Sequence, residues 1–346
     1  MTAVSTTSVT AVAGLRAVRR RRQVLVVTGM VLVVLAAGTG ALLVGAAGLT
    51  PGQAILGALG IGDKGDVFII QLLRLPRIEA AVVVGAAFGL AGALFQSTLR
   101  NPLASPDILG ISSGASLGAV IGLLALGLSG VALSGLAFAG AGVVALAIWL
   151  LAWRKGLHSI RFVLVGVGFA YLCSSLVAWS MARVEENEAA AVLVWTVGSV
   201  SDIRGEQLAF VAAGTLVLCA AVAVVSRNQG PLALGDDNAR ALGVHVDAAR
   251  IGSLLLAVAL VALATSAAGP IAFVALVAPA IARRLVNDGG AALAASAATG
   301  AALTLVADVV GQHGLLGVAA PVGIVTGLVG APYLLWLLAT NEKRSR

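Results

Sequence analysis

Chemistry needs side chains that can ligate, attack or move a proton, and in this chain they are few and scattered. His158, His245 and His313 fall in three different polar connections, without metal-ligand spacing. Cys173 and Cys219 lie within apolar runs, where a thiol behaves as a small hydrophobe, so neither a disulfide framework nor a zinc site is expected. Glu79 and Asp308 are the carboxylates nearest the middle of apolar runs. Each stands within about a turn or two of a run's end, which fits an interfacial cap or an ion pair better than a proton relay. There is no G-x-x-x-x-G-K-[ST], so the chain carries no P-loop of its own. No catalytic and no metal-ligating residues are expected, and the chain reads as a conduit whose energy comes from elsewhere.

The densest polar interruption is 227–250, RNQGPLALGDDNARALGVHVDAAR. Asp236 or Asp237 can cap a short helix, because a carboxylate accepts the free N–H groups of a first turn, and Gly243 can end that helix in the left-handed conformation. About two turns remain, with Ala239 and Leu242 three residues apart on one face. Asp247 offers a second cap into the next apolar run. Arg227, Arg240 and Arg250 balance Asp236, Asp237 and Asp247, whereas nucleic-acid-binding segments carry clustered cations. A capped helix of this kind is either a docking knob for a soluble partner or an ordinary structured loop.

The elements around these residues are written in the composition. Hydrophobic residues make up 60% of 346 and charged residues 11%, with mean hydropathy +1.04, against roughly a quarter charged in soluble domains. The class is an all-α polytopic membrane protein. The apolar runs predict ten spans, at 24–49, 78–99, 108–128, 131–153, 162–181, 207–226, 251–268, 271–286, 291–310 and 321–339. A polar stretch at 50–77 reads as an outer loop with a short helix near 51–59. A second short helix, too short to span, is expected within 183–204 at the outer face. Asn101-Pro102 to Pro106-Asp107 breaks the chain between the second and third spans, and Asp107 is placed to cap the third. Gly110, Gly114 and Gly118 recur every fourth residue, a stripe for close helix packing.

With this arrangement, 17 of the 22 Lys and Arg lie on one side, and Lys64, Arg74, Arg77, Arg183 and Arg204 on the other. The bias sets the populated side as cytoplasmic and both termini with it. Residues 1–23 are then a cytoplasmic tail, 24–340 a single membrane domain with 227–250 as its cytoplasmic loop, and 341–346 a second tail. A twin-arginine export signal at Arg19–Arg22 is the rival reading of the N-terminus, disfavoured by the many spans that follow.

Four segments, in order, resemble the iron/siderophore and cobalamin permease family of ABC importers. They are Arg74-Leu-Pro-Arg77 running into Gly85–Gly92 and Gln96; Asn101-Pro-Leu-Ala104 with Pro106-Asp107 and Leu109-Gly110 to Gly114-Ala115; Gly235 to Val244; and Gly269-Pro270 to Pro279 with Ala282-Arg283, Asp308, Pro321-Val-Gly323 and Gly330-Ala-Pro332. The resemblance implies the ten-helix fold of a type II ABC importer permease. It also implies a second permease subunit, two cytoplasmic ATPases that carry ATP and Mg, an extracytoplasmic siderophore-binding protein, and no cofactor on this chain. Gly235, Asp236, Ala239, Leu242 and Gly243 would sit in a groove of the ATPase.

Arg74 and Arg77 match outer arginines that meet acidic residues of the binding protein, with snorkelling anchors as the alternative. Ser112, Ser113, Trp195 and Ser199 are candidates for the pathway wall, with close packing as the alternative. Four positions depart from the family pattern. Ala280 stands where His is frequent, Gln312 where Arg is common, and Ala319-Ala320 where Glu-Leu is usual. A missing outer charge is easier to tolerate beside a non-identical partner, so a heterodimer is favoured. The expected cargo is a ferric siderophore in a bacterial cytoplasmic membrane, with cobalamin or haem within the same family as alternatives and a secondary carrier without ATPases as the reading from another class.

Overall fold

The computed structural model describes residues 6–43, 48–107, 109–153, 159–287, 289–314 and 318–342. Among these the regular structure is helical, as apolar runs demand where no water can satisfy a backbone N–H or C=O. In chain order the helices are α1 (Thr6–Leu43), α2 (Pro51–Ala58), α3 (Lys64–Phe68), α4 (Leu75–Thr98), α5 (Ile111–Leu126), α6 (Gly130–Ala152), α7 (Ser159–Met181), α8 (Glu186–Val197), α9 (Gly205–Val225), α10 (Gln229–Ala233), α11 (Asp236–Ala241), α12 (Val246–Ala268), α13 (Val274–Val286), α14 (Leu293–His313) and α15 (Val322–Glu342). Cations expected at Arg154 and Lys155, and in the C-terminal tail from Lys343 onward, lie outside the described residues.

Among the described residues seven helices are long and apolar enough to cross a membrane, and α5, α13 and α15 stand where the sequence places three further spans. Of these, α5 and α13 have 16 and 13 residues, fewer than the roughly 20 that a hydrocarbon core asks of a straight helix. The chain before each is irregular, at 100–107 with 109–110 and at 269–273. Its backbone groups find partners inside the protein, which is the condition for irregular chain at membrane depth. The short helix expected in 183–204 is α8, and the one expected near 51–59 is α2, opened by a reciprocal pair of hydrogen bonds between Thr50 and Gln53.

Two boundaries differ from expectation. The first span is part of a helix that already begins at Thr6, since 6–23 holds no proline and its arginines and alanines are good helix formers. The stretch expected to be an outer loop ends early, because helix is continuous from Lys64 to Thr98 through one π-type turn at Ile69–Arg74. Pro76 explains the slip. It has no N–H to give and its ring crowds the preceding turn, so the neighbouring Leu75 N–H reaches back five residues to the Ile70 carbonyl.

The helix α4 is buried along most of its length and packs against α12, α13 and α14. Small residues make this possible. A Cβ on Gly85 or Gly89 would run into the backbone of α14 at Gly300 and Ser296, and one on Gly92 into the Ala275 carbonyl of α13. Beside this layer α5 packs on α6 and α7. Gly114 and Gly118 face Gly140 and Leu136 of α6 as the expected stripe requires. Gly110 does not belong to that stripe. It precedes α5 in the left-handed region (φ 73°) and lies against Gly166 and Ala170 of α7.

Candidate functional site

The central polar segment folds as two short helices over a small core of its own, in which Leu232, Ala239, Val246 and Ala249 are buried together with Val244 against them. Gly235 (φ 101°) turns the chain into α11 and Gly243 (φ 81°) turns it out, with Val244 N–H bonded back to the Ala239 carbonyl. The ending at Gly243 is as the sequence predicts. The caps are not. Gly235 is the residue before the first turn of α11, and Asp236 and Asp237 lie inside that turn, where their charge still suits the positive end of a helix. Asp247 likewise lies inside the first turn of α12, after His245.

Ala239 and Leu242 do not share a face. Ala239 is fully buried against α10 and α12, whereas Leu242 follows the helix with 62% of its surface exposed, as Leu234 does at the other end. The reason is local. After Ala241 the helix unwinds toward Gly243, so the three-residue spacing no longer brings the two side chains together.

Asp236 is the ionic centre of this segment. Arg250 of α12 grips it with two hydrogen bonds, at 2.8 and 2.9 Å, and Arg100, just beyond the end of α4, donates to the same carboxylate at 2.8 Å and to the Leu232 carbonyl at 2.7 Å. Partial burial pushes the Asp236 carboxyl up, but Arg250 and then Arg100 outweigh it and hold it below the usual carboxylate range. The charge balance at 227–250 is the sequence signal for such pairing. Arg100, 136 residues away, is the member that spacing could not reveal.

The two arginines of the opposite end lie within the long helix rather than before it. Arg74 donates to the Leu42 carbonyl in the last turn of α1. Arg77 forms a bidentate pair with Asp308 of α14, Nη2 to Oδ1 at 2.8 Å and Nε to Oδ2 at 2.9 Å, and Gln312 adds a 2.7 Å bond to the same carboxylate. The Asp308 side chain is 2% exposed and that of Arg77 25%. Asp308 is thus the ion-pair carboxylate anticipated from the sequence, and both arginines have partners within the chain.

A cavity of about 640 Å³ opens between the irregular segments. Ser112 and Ser113 line it, as do Asp107, Ser116, Ser174 and Thr196, which the sequence reading passed over. Asp107 does not cap α5. Its carboxylate accepts hydrogen bonds from Ser112 (2.8 Å) and Ser105 (3.4 Å) beside the cavity. Trp195 and Ser199 stand behind the wall. The Trp195 carbonyl abuts Gly269, and Ser199 N–H donates to the Ala268 carbonyl at 2.7 Å while Gly323 N–H donates to Gly198. Three breaks in the helices are thereby tied by backbone bonds, and Gly198, Gly269 and Gly323 leave no room for a side chain there.

The profile of the FecCD transport family matches residues 29–340. The ferric enterobactin transport system permease protein FepG of Escherichia coli (strain K12) is 35% identical over 308 residues, 89% of this chain and 93% of that one. The vitamin B12 import system permease protein BtuC of Klebsiella pneumoniae (strain ATCC 700721 / MGH 78578) is 34% identical over 289 residues, 82% of this chain and 86% of its own. Among solved structures, one described as a metal-chelate type ABC transporter in an inward-facing conformation superposes with a TM-score of 0.80 at 26% identity, covering 91% of this chain and 98% of that one. A helical bundle with an exposed knob at one end and a hydroxyl-lined cavity within it, matched over nearly its whole length in this way, belongs to the FecCD transport family and is a permease subunit of an ABC importer.

Proposed function

We propose that the chain is one of two transmembrane subunits of an importer that moves a ferric siderophore across a bacterial cytoplasmic membrane, driven by two ABC ATPases on the cytoplasmic face and supplied by a binding protein on the other. The observation that carries the reading is Leu242, a large apolar side chain held out from a rigid, ion-paired knob between two left-handed glycines. An exposed leucine on a fixed support is a plug for a groove in a soluble partner. Gly235 and Gly243 set the knob's shape and Ala239 roots it. ATP and Mg belong to the partner that holds the knob.

The same reading gives the cavity lined by Ser112, Ser113 and Asp107 the part of the pathway wall, with Trp195 and Ser199 bracing it from behind. A chelate already wraps its iron, so a wall of hydroxyls needs no metal ligands. Arg74 and Arg77, half-buried at the opposite end, are proposed to present their remaining N–H groups to acidic residues of the binding protein. Gln312 and Ala319-Ala320 leave that end short of charge and favour a non-identical second subunit. Ferric siderophore is preferred because Ser105-Pro-Asp-Ile-Leu-Gly110 resembles one subunit of catecholate-siderophore permease pairs and because of the enterobactin relative, and vitamin B12 is the second reading because a relative of almost equal identity is named for it.

The test is Leu242→Asp. Placing a carboxylate in an apolar groove should release the ATPases, a loss of roughly a hundredfold in association, with membrane insertion intact. Pull-down of the ATPases on a tagged chain reads it, and unchanged recovery with unchanged iron uptake would remove the mechanism.

A further inference from the structure

We infer that Asp236, Arg100 and Arg250 form a clasp that carries movement of the knob into the membrane bundle, so that the three are positioning residues for transport rather than contacts to the ATPase. This rests on the reading of the knob as the ATPase's handle.

The geometry singles out Asp236. Its two carboxylate oxygens take donors from two different membrane helices, Arg250 in the second turn of α12 and Arg100 past the last turn of α4. Its carboxylate is turned inward to them, its side chain 30% exposed, whereas the neighbouring Asp237 side chain is fully exposed and pairs only with Arg240, three residues on. Arg100 is also held with φ 50°, a backbone conformation that a side chain disfavours, and from there it reaches both Asp236 and the Leu232 carbonyl of α10. Exposed ion pairs add little stability. A bidentate guanidinium and a shared carboxylate do fix orientation, which is what transmission of a push requires.

The connection continues beyond Arg100. One turn earlier on α4, buried Gln96 donates to the Leu276 carbonyl of α13 at 3.1 Å, and its own carbonyl accepts a hydrogen bond from Arg283 near the end of the same helix. α13 is bracketed by two left-handed non-glycine residues, Phe273 (φ 66°) and Asn287 (φ 49°). The segment entering it, at Pro270 and Ala272, lines the hydroxyl cavity. A displacement of α11 thus meets hydrogen bonds at the end of α4, and one turn back that same helix is hydrogen-bonded to α13, whose entering segment lines the cavity.

The experiment uses the whole importer, this chain with its second permease subunit, ATPases and binding protein, in liposomes. Arg100→Ala should leave ATPase co-purification and basal ATP hydrolysis near wild type. It should lower stimulation of hydrolysis by the loaded binding protein, and uptake with it, by about tenfold. The double variant Arg100→Ala/Arg250→Ala should be no worse than Arg100→Ala alone, and Arg100→Lys should recover part of the stimulation. Arg250→Ala gives the same ratio from the α12 side should Arg100→Ala fail to fold. Full stimulation and uptake in Arg100→Ala would overturn the clasp, as would loss of ATPase binding, which would make Arg100 part of the docking surface. Leu242→Asp run in parallel separates the two ideas. If it keeps its ATPases the handle itself is misplaced, whereas failure of Arg100→Ala alone strikes only the transmission.

Discussion

Asp308 shows how a carboxylate is partnered in an apolar bundle. It sits on α14 with its side chain almost wholly covered, and Arg77 and Gln312 supply three donors to its two oxygens. Removing the guanidinium leaves a buried anion with only an amide for company. Arg77→Ala should therefore cost about 3 kcal/mol, seen as a lower thermal midpoint in detergent, while Gln312→Ala should cost about 1 kcal/mol. Equal and small effects from both would mean that the pair is solvated. The sequence offered Asp308, like Glu79, as an interfacial cap or a member of an ion pair, because each stands near the end of an apolar run. It did not tell with which residue, since Arg77 lies 231 positions away and its own surroundings read as an exposed rim. Asp107 failed for a related reason. An aspartate ahead of an apolar run is a good cap only if the helix starts there, and Gly110 delays the start to Ile111.

At the scale of elements, spacing located the helices and glycine fixed how near they come. Gly85, Gly89 and Gly92 form one edge of α4; Gly89 and Gly92 meet backbone of α14 and α13, and Gly85 meets both the Gly300 backbone and the Thr304 side chain of α14. Gly92→Ala would place a methyl group inside the Ala275 carbonyl and cannot be relieved by a rotamer change. A loss of about 3 kcal/mol or more is expected, read as reduced yield of folded protein in detergent, whereas Gly142→Ala, with open space around it, should be near neutral. Parity of those two would show that α4 has slack. The four-residue glycine spacing on α5 was legible as a packing stripe. Its partner was not, because the Gly140 that completes it belongs to another helix. α11 was legible through its closing glycine, but the exposure of Leu242 and burial of Ala239 depend on where the last turn unwinds, which periodicity does not specify.

For the whole molecule, the proposed orientation follows from the cation bias and can be read directly. Cys173 is buried and Cys219 half-buried within helices, so a single new thiol stands out. In spheroplasts a membrane-impermeant maleimide should label Asp202→Cys at once, its site being 87% exposed beyond α8, and Asp237→Cys only after permeabilisation. The opposite order would invert the protein. Fold class and family were legible because ten apolar runs and four ordered motifs survive without knowledge of any contact. The ion pairs between distant segments were not, because they join residues that only the finished bundle brings side by side. The uninterrupted helix from Lys64 to Thr98 has a mechanical meaning of its own. At 35 residues it is about 50 Å long, well beyond a hydrocarbon core of about 30 Å. Its glycine edge, Gly85 to Gly92, rests against α14 and α13 in the half toward Thr98, Arg74 and Arg77 lie in the other half, and Arg100 lies just past the Thr98 end. A rod of that length would act as a lever: turned by about 5° about its midpoint, its two tips would move in opposite directions by about 2 Å each.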